Sequence, residues 1–474
     1  MILKPFYAVR DALWGKPPSD PKEAKLLFKI DVLVLSFTCL CYWSNYLDRT
    51  NFANAYVSGM AEAVGMKGDD YNIVNTCFTV GYTIGMLPNN IALLKLKPRY
   101  WMCFCMIAWG LLVLGMYKVT SYRQLCVIRF FQAIFESSTF SGTHLILGNW
   151  YKETELTKRS AVFTSSGLIG SIFSGFMQSA IHTNLDGRNG LAGWQWLFII
   201  DFIITMPIVV YGFFFFPDYP SNCSVFFLSE EEKQLAIDRL PPRAETKFDL
   251  SVVKRVVGRW HWWLFSILWM FAGENESFGI NSLFALWLKW AGYSISDRNN
   301  YPMGIYAVGI VATFASSLYV DLTGARYHWH IALLIFVFMI ISVILTLAAP
   351  LNTAAVFVAQ YFSGVSFAGQ AVYFAWANVV CHNDLEEAAI TLASMNMFSN
   401  AVNAWWSILF FKATYVPKWK HSCYAMIATL CVSVIVAAAI RFLQLKEEKM
   451  AEKVVDDESV EQVAVAVEEK RHLE

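Results

Sequence analysis

Charged residues are scarce in this 474-residue chain. They make up 16% of the sequence, against roughly 25% in soluble globular proteins, whereas hydrophobic residues make up 56%. The 37 basic and 37 acidic residues cancel, so no excess of positive charge favours nucleic-acid binding. A chain with so few charges, gathered into loops and the C-terminal segment, is typical of a polytopic membrane protein. This composition argues against a soluble enzyme, a DNA-binding protein and a secreted disulfide scaffold.

The motifs of common catalytic and metal sites are also missing. The ten cysteines form no Cys-x-x-Cys pair, and no histidine lies at metal-ligand spacing from a cysteine. This predicts reduced, buried thiols and no metal site. The sequence contains no phosphate-binding loop, no GxSxG and no HExxH. We therefore expect a protein that is not an enzyme, has no cofactor and is not driven by ATP.

Apolar segments dominate what is present. A helix of about 20 apolar residues crosses the ~30 Å core of a bilayer, and the chain offers twelve such segments. A long polar gap, from Pro217 to Arg259, divides them into two sets of six. The predicted segments are 31–57, 72–94, 100–118, 123–148, 160–182, 194–216, 261–290, 301–321, 329–349, 352–379, 388–411 and 421–443. The pattern predicts an all-α membrane protein, and it resembles the two-bundle, 6+6 plan of the major facilitator fold.

The placement of lysine and arginine predicts an orientation. They are concentrated in the loops that share a side with both termini, which we therefore expect to be cytoplasmic. The expected divisions are a cytoplasmic N-terminal segment (1–29), a first six-helix bundle (30–216), a cytoplasmic central loop (217–259), a second bundle (260–443) and a disordered acidic tail (444–474). In the central loop, Ser229-Glu-Glu-Glu predicts a capped surface helix.

Two membrane segments carry ionisable residues, which are costly at membrane depth. Asp48 and Arg49 are adjacent in the first segment, and Arg129 and Glu136 are two turns apart on one face of the fourth. Two opposite pairs in one bundle are able to exchange partners, so we expect Asp48 to pair with Arg129 in one state. In another state Arg49 pairs with Glu136 or a bound carboxylate. The alternative is a static network, with Asp48 as an interfacial cap and Arg129 reaching the membrane surface.

The second bundle offers polar candidates of its own. Glu274 and Asn275 interrupt the seventh segment, which suits an unwound, cavity-lining stretch. A solvated position at the outer mouth explains Glu274 equally well, and hydrogen bonds between helices explain the amides of the eleventh segment as well as substrate contact does. The candidates for contact with a substrate in this bundle are Asn275, Gln370, Tyr373, Asn396 and Asn400, with Glu274 as a candidate for proton coupling.

Glycines recur in the fifth segment, at Gly167, Gly170 and Gly175. Small residues allow two helices to approach closely. We expect this contact to lie between the two bundles, where motion is accommodated.

Several motifs resemble one family. Asp48-Arg49, the run LPNN at 87–90, Arg129 with Glu136, and the stretch from Trp150 to Arg159 are similar to the anion:cation symporter family of the major facilitator superfamily, in its fungal allantoate-permease branch. The resemblance spans roughly residues 25 to 445. One departure is the loop between the second and third segments, KLKPRYW, which lacks the glycines and aspartate usual in the superfamily.

The resemblance implies a function. We expect a proton-coupled symporter at the plasma membrane that imports a small organic carboxylate by alternating access. The expected substrate is pantothenate; the alternatives are biotin, allantoate or a nicotinate-like acid, and a nutrient receptor that does not transport. The family's roles imply substrate contact for Arg49 and Glu136, and proton coupling for Asp48, Arg129 and Glu136. Expected partners are the substrate, protons and the lipid bilayer, with no nucleic acid and a monomeric state.

Overall fold

The computed structural model of the chain describes residues 18–223, 225–240, 250–280, 282–323, 326–381 and 384–473. Within these ranges every regular element is a helix or a short helical turn. Twelve long helical segments, called spans 1 to 12 in chain order, follow one another through short connections and one longer central segment. Their positions agree with the twelve apolar segments of the sequence, and the all-α architecture is confirmed.

Spans 1 to 6 form the first half of the molecule. A helix at Pro21–Ile30 leads into span 1; it begins there because Asp20 Oδ1 accepts a hydrogen bond from the Lys22 N–H at 2.9 Å and proline occupies its first turn. A π-helical turn, Asp31–Leu35, joins it to the main helix of span 1. The main helices of the six spans are Ser36–Ala55, Asp70–Lys95, Pro98–Gly115, Tyr122–Glu136 with Ser138–Trp150, Glu153–Leu185 and Gly193–Phe215.

Spans 7 to 12 form the second half. Two of them are interrupted by 3₁₀ turns, at Gly273–Glu276 in span 7 and at Gly364–Phe367 in span 10. The polar run in span 7 predicted the first break, whereas the second lies in an apolar stretch. The main helices are Trp260–Ala272 with Leu283–Trp290, Met303–Leu322, Trp329–Ala348, Thr353–Ser363 with Ala368–Val380, Leu385–Phe410 and Lys420–Leu473.

Hydropathy alone does not identify all the spans. Among the described residues, seven helices are long and apolar enough to cross a membrane: those of spans 3, 5, 6, 8, 9, 10 and 12. Spans 1 and 4 fall outside this set, and they carry the Asp48–Arg49 and Arg129–Glu136 pairs. The charged residues lower the mean hydropathy of both spans. A span tolerates them because they face protein rather than lipid.

The central segment packs against the first half. Ser229 caps the helix Glu230–Asp238, accepting from the Glu232 N–H at 3.2 Å while the Glu232 carboxylate accepts from the Ser229 N–H at 3.1 Å. The predicted capping box is therefore present. Glu232 also receives Lys29 Nζ at 2.7 Å, which ties this helix to the start of span 1. Residues 1–17 of the N-terminal segment and 241–249 of the central loop lie outside the described residues.

The loop between spans 2 and 3 has a substitute for its missing aspartate. Arg99 lies 3.7 Å from the Asp218 carboxylate, and its backbone N–H donates to Asp218 Oδ1 at 3.2 Å. Asp218 comes just after span 6 and is buried. An ion pair thus anchors this loop from a different part of the chain.

Span 12 continues through the acidic C-terminal segment to Leu473. The disorder expected of this segment on composition stays a prediction. The segment is rich in glutamate, which has high helix propensity. Near its beginning Glu447 accepts a hydrogen bond from Trp260 Nε1 at 2.7 Å, which holds the helix to span 7.

The two halves are joined on the side opposite the termini. Lys289 Nζ of span 7 lies 2.8 Å from Glu62 after span 1, and Asn299 Nδ2 donates to Ser58 Oγ at 3.0 Å. At the start of span 2, Asn72 Nδ2 donates to the Phe411 carbonyl at 2.9 Å. In the first half, these bonds involve the residues after span 1 and the start of span 2. In the second half, they involve the end of span 7, the residues just before span 8 and the residue after span 11. The conformation is therefore closed on this side.

The glycines of span 5 do not all face the other half. A Cβ at Gly170 would meet the Trp43 carbonyl of span 1, and one at Gly167 would meet the Tyr42 and Tyr46 rings of the same span. Only Gly175 approaches the second half, where a Cβ would meet Asn299 and Met303. The expectation that all three lie between the halves was wrong. Spans 1 and 5 pack along much of their length inside the first half, so most of the small residues serve that contact.

Candidate functional site

An ion pair lies at the centre of the first half. Arg49 Nε of span 1 is 3.5 Å from Glu136 Oε2 of span 4. The glutamate is fully buried, whereas 29% of the arginine side chain is exposed. The structure therefore presents one of the two predicted pairings, with the cation accessible and the anion enclosed.

Two amides hold the Glu136 carboxylate. Asn45 Nδ2 donates to Oε2 at 2.8 Å, and Gln132 Nε2 donates to Oε1 at 2.5 Å. Asn45 lies one turn before Arg49 on span 1, and Gln132 lies one turn before Glu136 on span 4, so helical spacing aims all four side chains at one point. Hydrogen bonds from both sides fix the orientation of the carboxylate.

Aromatic rings surround the Arg49 guanidinium. Its central carbon lies 4.6 Å from the centroid of Tyr82, 5.1 Å from Phe78 and 5.4 Å from Tyr46. Ring faces stabilise a cation without neutralising it. Arg49 Nε and Nη2 are themselves buried and have no acceptor in hydrogen-bonding geometry among the described residues, and Nε is the atom that faces Glu136. The rings and Glu136 therefore enclose this part of the guanidinium in the present conformation.

Arg129 is more enclosed than Arg49. It is 2% exposed, and its guanidinium lies 4.0 Å from the centroid of Phe78 and 4.7 Å from Phe52. Its Nη1 donates to Gln132 Oε1 over a long 3.4 Å, and its Nε has no acceptor among the described residues. Phe78 therefore lies between the two arginines and faces both.

Asp48 does not form the ion pair with Arg129 that exchange would require in one state. It is buried, and its Oδ2 has no hydrogen-bond donor among the described residues; one oxygen of Asp201 in span 6 is in the same position. Asn51 Nδ2 donates to Asp201 Oδ2 at 2.5 Å, and Asn51 Oδ1 accepts from Ser174 Oγ of span 5 at 2.5 Å. Spans 1, 5 and 6 thus meet at a polar cluster inside the bundle.

The break in span 7 places its polar residues in different surroundings. Glu274 is buried and contacts Ser277, whose Oγ lies 3.4 Å from Oε2. Asn275 Oδ1 accepts from Thr429 Oγ1 of span 12 at 2.9 Å. Glu276 is buried, and its Oε1 has no hydrogen-bond partner among the described residues. The hydrogen bonds of Glu274 and Asn275 within the described residues do not reach the Arg49–Glu136 pair.

A small void lies between the halves beside the site. It has a volume of only about 10 Å³ and is lined by Tyr46, Thr164, Ser165, Leu168, Thr313, Phe367, Gln370 and Ala371. Gln370 is therefore brought to the interface with Tyr46, which also faces Arg49. Tyr373, one turn further on span 10, is 1% exposed and packs against Trp269 at 6.3 Å between ring centroids. Of these two candidates, Gln370 reaches the void.

The amides of span 11 bond to each other. Asn400 Nδ2 donates to the Asn396 carbonyl at 2.8 Å and to Asn396 Oδ1 at 2.9 Å. Both side chains are half-buried. Their contact with a substrate remains a prediction.

Four residues of the site were not singled out from the sequence: Asn45, Tyr46, Gln132 and Asp201. Gln132 lies four residues before Glu136, as Asn45 does before Arg49, so helical spacing around the charged residues would have found both. Asp201 is the one charged residue of an otherwise apolar helix. The sequence shows that Asp201 is an isolated charge, but it does not show which residues Asp201 contacts.

The fold also gathers a group of metal-ligand type. His261, Cys381 and Glu387 bring potential ligand atoms within 4.8 Å of one another near the terminal side of the second half. Arg259 contacts the Glu387 carboxylate, and His261 bonds Glu387 through Nδ1 at 2.7 Å and Glu447 through Nε2 at 3.1 Å. Protein partners therefore already engage the glutamate and both nitrogens of the imidazole.

Comparisons with known proteins cover most of the chain. The profile of the Major Facilitator Superfamily matches residues 38–407. Pantothenate transporter FEN2 of Saccharomyces cerevisiae is 57% identical over 435 residues, covering 90% of this chain and 85% of that protein. Pantothenate transporter liz1 of Schizosaccharomyces pombe is 38% identical over 443 residues, covering 93% and 86%. The Vitamin H transporter of S. cerevisiae is 29% identical, covering 84% and 69%.

Solved structures share the fold at low sequence identity. A bacterial homolog of the human lysosomal transporter Spinster, inward-facing and unoccupied, has a TM-score of 0.62 at 14% identity, covering 90% of this chain and 98% of that one. The proton:xylose symporter XylE has a TM-score of 0.63 at 12% identity, covering 86% and 95%. Both comparisons concern the arrangement of the helices alone.

Proposed function

Because the chain belongs to the major facilitator superfamily and is a multi-pass membrane transporter, we propose that it imports pantothenate with protons across the plasma membrane. Two relatives that match it along most of its length are named pantothenate transporters. The proposal includes no cofactor; protons are the coupling ion, and the unit is the monomer. Biotin and other small carboxylates are the competing substrates, since the Vitamin H transporter is also similar.

The observation that carries the proposal is the Arg49–Glu136 pair. Arg49 has 29% of its side chain exposed, pairs with Glu136 through Nε while Nη2 has no acceptor among the described residues, and lies among three rings. A guanidinium in this setting suits a carboxylate, which it binds with charge-assisted hydrogen bonds. In the mechanism, Arg49 binds the pantothenate carboxylate.

Glu136 couples that binding to protonation. The glutamate and the substrate carboxylate compete for the same guanidinium, because both are anions and only one of them forms the full set of hydrogen bonds. Protonating Glu136 releases Arg49 for the substrate, so proton and substrate each favour the binding of the other. Asn45 and Gln132 keep the released carboxyl in place.

The second half contributes the remaining recognition. Gln370 lines the void that Tyr46 shares, which places an amide opposite the arginine site. Pantothenate carries an amide and hydroxyl groups beyond its carboxylate, and these require hydrogen-bonding partners when they leave water. Asn275, Tyr373, Asn396 and Asn400 belong to the same proposal as contacts made when the halves rearrange, and Glu274 as a further proton acceptor.

The energetics follow from charge. One proton and one monoanion move no net charge, so accumulation follows the pH gradient at about tenfold per unit. A second proton would add about 2.3 kcal/mol per 100 mV of membrane potential. Uptake that depends on voltage but not on external pH would contradict the one-proton scheme.

Uptake of labelled pantothenate in a yeast strain without its own transporter tests the proposal. Wild type is expected to accumulate the label, whereas Arg49→Ala and Glu136→Gln lose accumulation at normal surface abundance. Excess biotin, allantoate and nicotinate, added separately, identify the substrate: pantothenate uptake should survive all three. Displacement of the label by one of them at lower concentration than pantothenate itself would reassign the substrate.

A nutrient receptor is the alternative from another class. Truncation after Met450 separates the two, because it removes most of the acidic segment and keeps Glu447 in contact with Trp260. A transporter still accumulates substrate after this truncation. A receptor that signals through the segment loses its output and shows no accumulation before or after it.

A further inference from the structure

Asp201 is a buried acid without an assigned task. It is the one charged residue in Gly193–Phe215 and is 0% exposed. It lies eight residues from the helix end on the closed side, a depth of about 12 Å at 1.5 Å per residue. An ionisable group at that depth in an apolar span is costly and marks proton or substrate handling in membrane proteins.

One oxygen of Asp201 has a hydrogen-bond donor, whereas its other oxygen and one oxygen of Asp48 have none among the described residues. Asn51 satisfies Asp201 Oδ2 at 2.5 Å. Asp201 Oδ1 and Asp48 Oδ2 are buried and have no hydrogen-bond donor among the described residues, and Asn51, which donates to Asp201, lies one turn from Asp48 on span 1. Two neighbouring buried carboxylates repel each other, whereas a proton between them satisfies both oxygens at once.

The neighbouring spans offer few other groups that stabilise the two carboxyl groups. Span 1 contributes Asp48 and Asn51, and span 5 contributes Ser174, which bonds Asn51. Span 4 directs Arg129 and Glu136 toward Asp48. Asp201 itself forms no ion pair with any lysine, arginine or histidine in the described ranges. The pair is therefore enclosed by amides and hydroxyls, with Arg129 as the nearby cation.

We infer that Asp48 and Asp201 share one proton, and that this proton is carried with the substrate in addition to the one that Glu136 takes up. The inference rests on the proposed function and places a second coupling proton at a site apart from the substrate arginine. It makes Asp201 of span 6 a proton-handling residue and Asn51 its positioning residue.

Arg129 compensates the negative charge of the Asp48–Asp201 pair when the proton leaves it. A proton from water on the outer side binds the pair and changes its charge from −2 to −1. On release to water on the terminal side, the pair returns to −2, and the Arg129 guanidinium moves from the rings of Phe78 and Phe52 to pair with Asp48. Arg129 is suited to this exchange because its Nε has no acceptor in the present conformation. No bond other than O–H is made or broken.

Asp201→Asn tests the inference, since asparagine keeps the shape and the hydrogen bonds but carries no exchangeable acid proton. The full chain is reconstituted in liposomes, and two quantities are measured with labelled pantothenate: exchange across the membrane without a pH gradient, and accumulation with proton uptake under a gradient. Exchange should persist within about twofold, whereas accumulation should fall at least about tenfold and proton uptake per substrate should fall by about half. Asp48→Asn should behave alike, and the double variant no worse.

Thr205→Val is the matched control. It lies one turn from Asp201 on the same helix, is buried and bonds Ser44 at 2.9 Å, so it removes a polar contact but no acid. It should keep coupled accumulation. If Asp201→Asn takes up protons as wild type does, or loses exchange together with accumulation at equal protein incorporation, the inference is wrong.

Asp201→Glu decides the matter if the asparagine variant does not reach the membrane. It retains an acid at an altered distance from Asp48, so coupled transport should persist with a displaced pH midpoint; an unchanged pH profile overturns the inference. Failure of wild type to exchange or accumulate pantothenate would instead refute the proposed function. The two failures are thereby distinguishable.

Discussion

Arg49 and Glu136 face each other across spans 1 and 4, with 3.5 Å between Nε and Oε2. The arginine side chain is 29% exposed and the glutamate is enclosed. Under the proposed function, a substrate anion meets the guanidinium first and the glutamate responds.

Replacing Arg49 by lysine tests the guanidinium rather than the charge. Lysine retains a cation but not the planar fork that fits a carboxylate or lies across the Tyr82 ring. We expect the KM for pantothenate to rise at least about tenfold in Arg49→Lys, and transport to be lost in Arg49→Ala. The measurement is initial uptake rate against concentration. Equal KM values in wild type and the lysine variant would show that charge alone suffices.

Gln132→Leu tests how the Glu136 carboxylate is held. The substitution removes the donor at 2.5 Å, and leaving a buried acceptor without a donor costs about 1–3 kcal/mol. The ionised form of Glu136 loses more than the protonated form, so its protonation should occur at higher pH. Uptake measured from pH 4 to 8 (about the range in which carboxyl groups titrate in proteins) should retain its maximum to higher pH than wild type. Gln124→Leu, on an exposed turn of the same span, is the control.

Glu62→Gln tests the closed side. Burial raises the pKa of Glu62, but the hydrogen bond and charge of Lys289 outweigh it and hold the pKa below its usual value. The ion pair therefore stabilises the closed side above that usual pKa and ceases to do so as the pH falls through the lowered one. An exposed pair is worth about 1 kcal/mol or less. We expect the variant to shift the balance toward opening on this side.

Alkylation of a cysteine introduced at Ser58 measures that opening. The rate should rise several-fold in Glu62→Gln, both proteins being compared at the same neutral pH because alkylation itself slows as the thiolate is protonated. Glu230→Gln, whose carboxylate pairs with Lys233 on the exposed central helix, should leave the rate unchanged. A rate that does not respond to Glu62→Gln would exclude a role of this ion pair in closure.

Asp218→Asn tests the anchor of the 2–3 loop. Asp218 is 1% and Arg99 12% exposed, and removing one partner of a buried pair costs about 3–5 kcal/mol. We expect a lower melting temperature in detergent with the substrate KM near that of wild type. Asp238→Asn, on the exposed helix, should melt as wild type does. A change in KM without loss of stability would place Asp218 in transport rather than in anchoring.

The positions of the spans could be predicted because long apolar runs have few alternatives in a membrane. The pairing of Arg49 with Glu136 was also accessible, since both lie where a charge needs a partner. Asp201 was not paired with Asp48 in advance, because the contact between spans 1 and 6 depends on how the bundle closes. The break at Gly364–Phe367 was missed for a different reason: no polar run interrupts the sequence there.

The glycines of span 5 also show that the sequence does not predict which helices come into contact. Their spacing indicates a close contact but not its partner, and only Gly175 faces the second half. The contact at Gly170 is internal to the first half, where span 1 packs against span 5. Which helix a small residue faces is decided by tertiary packing, which periodicity does not report.

Gly175 leaves no room for a side chain against Asn299 and Met303 at the seam between the halves. Even one methyl group there would push the two halves apart, because it would meet the Asn299 backbone oxygen, which has little freedom to move. A Gly175→Ala transporter should thus rest open on the side opposite its termini, and it offers a way to trap that conformation.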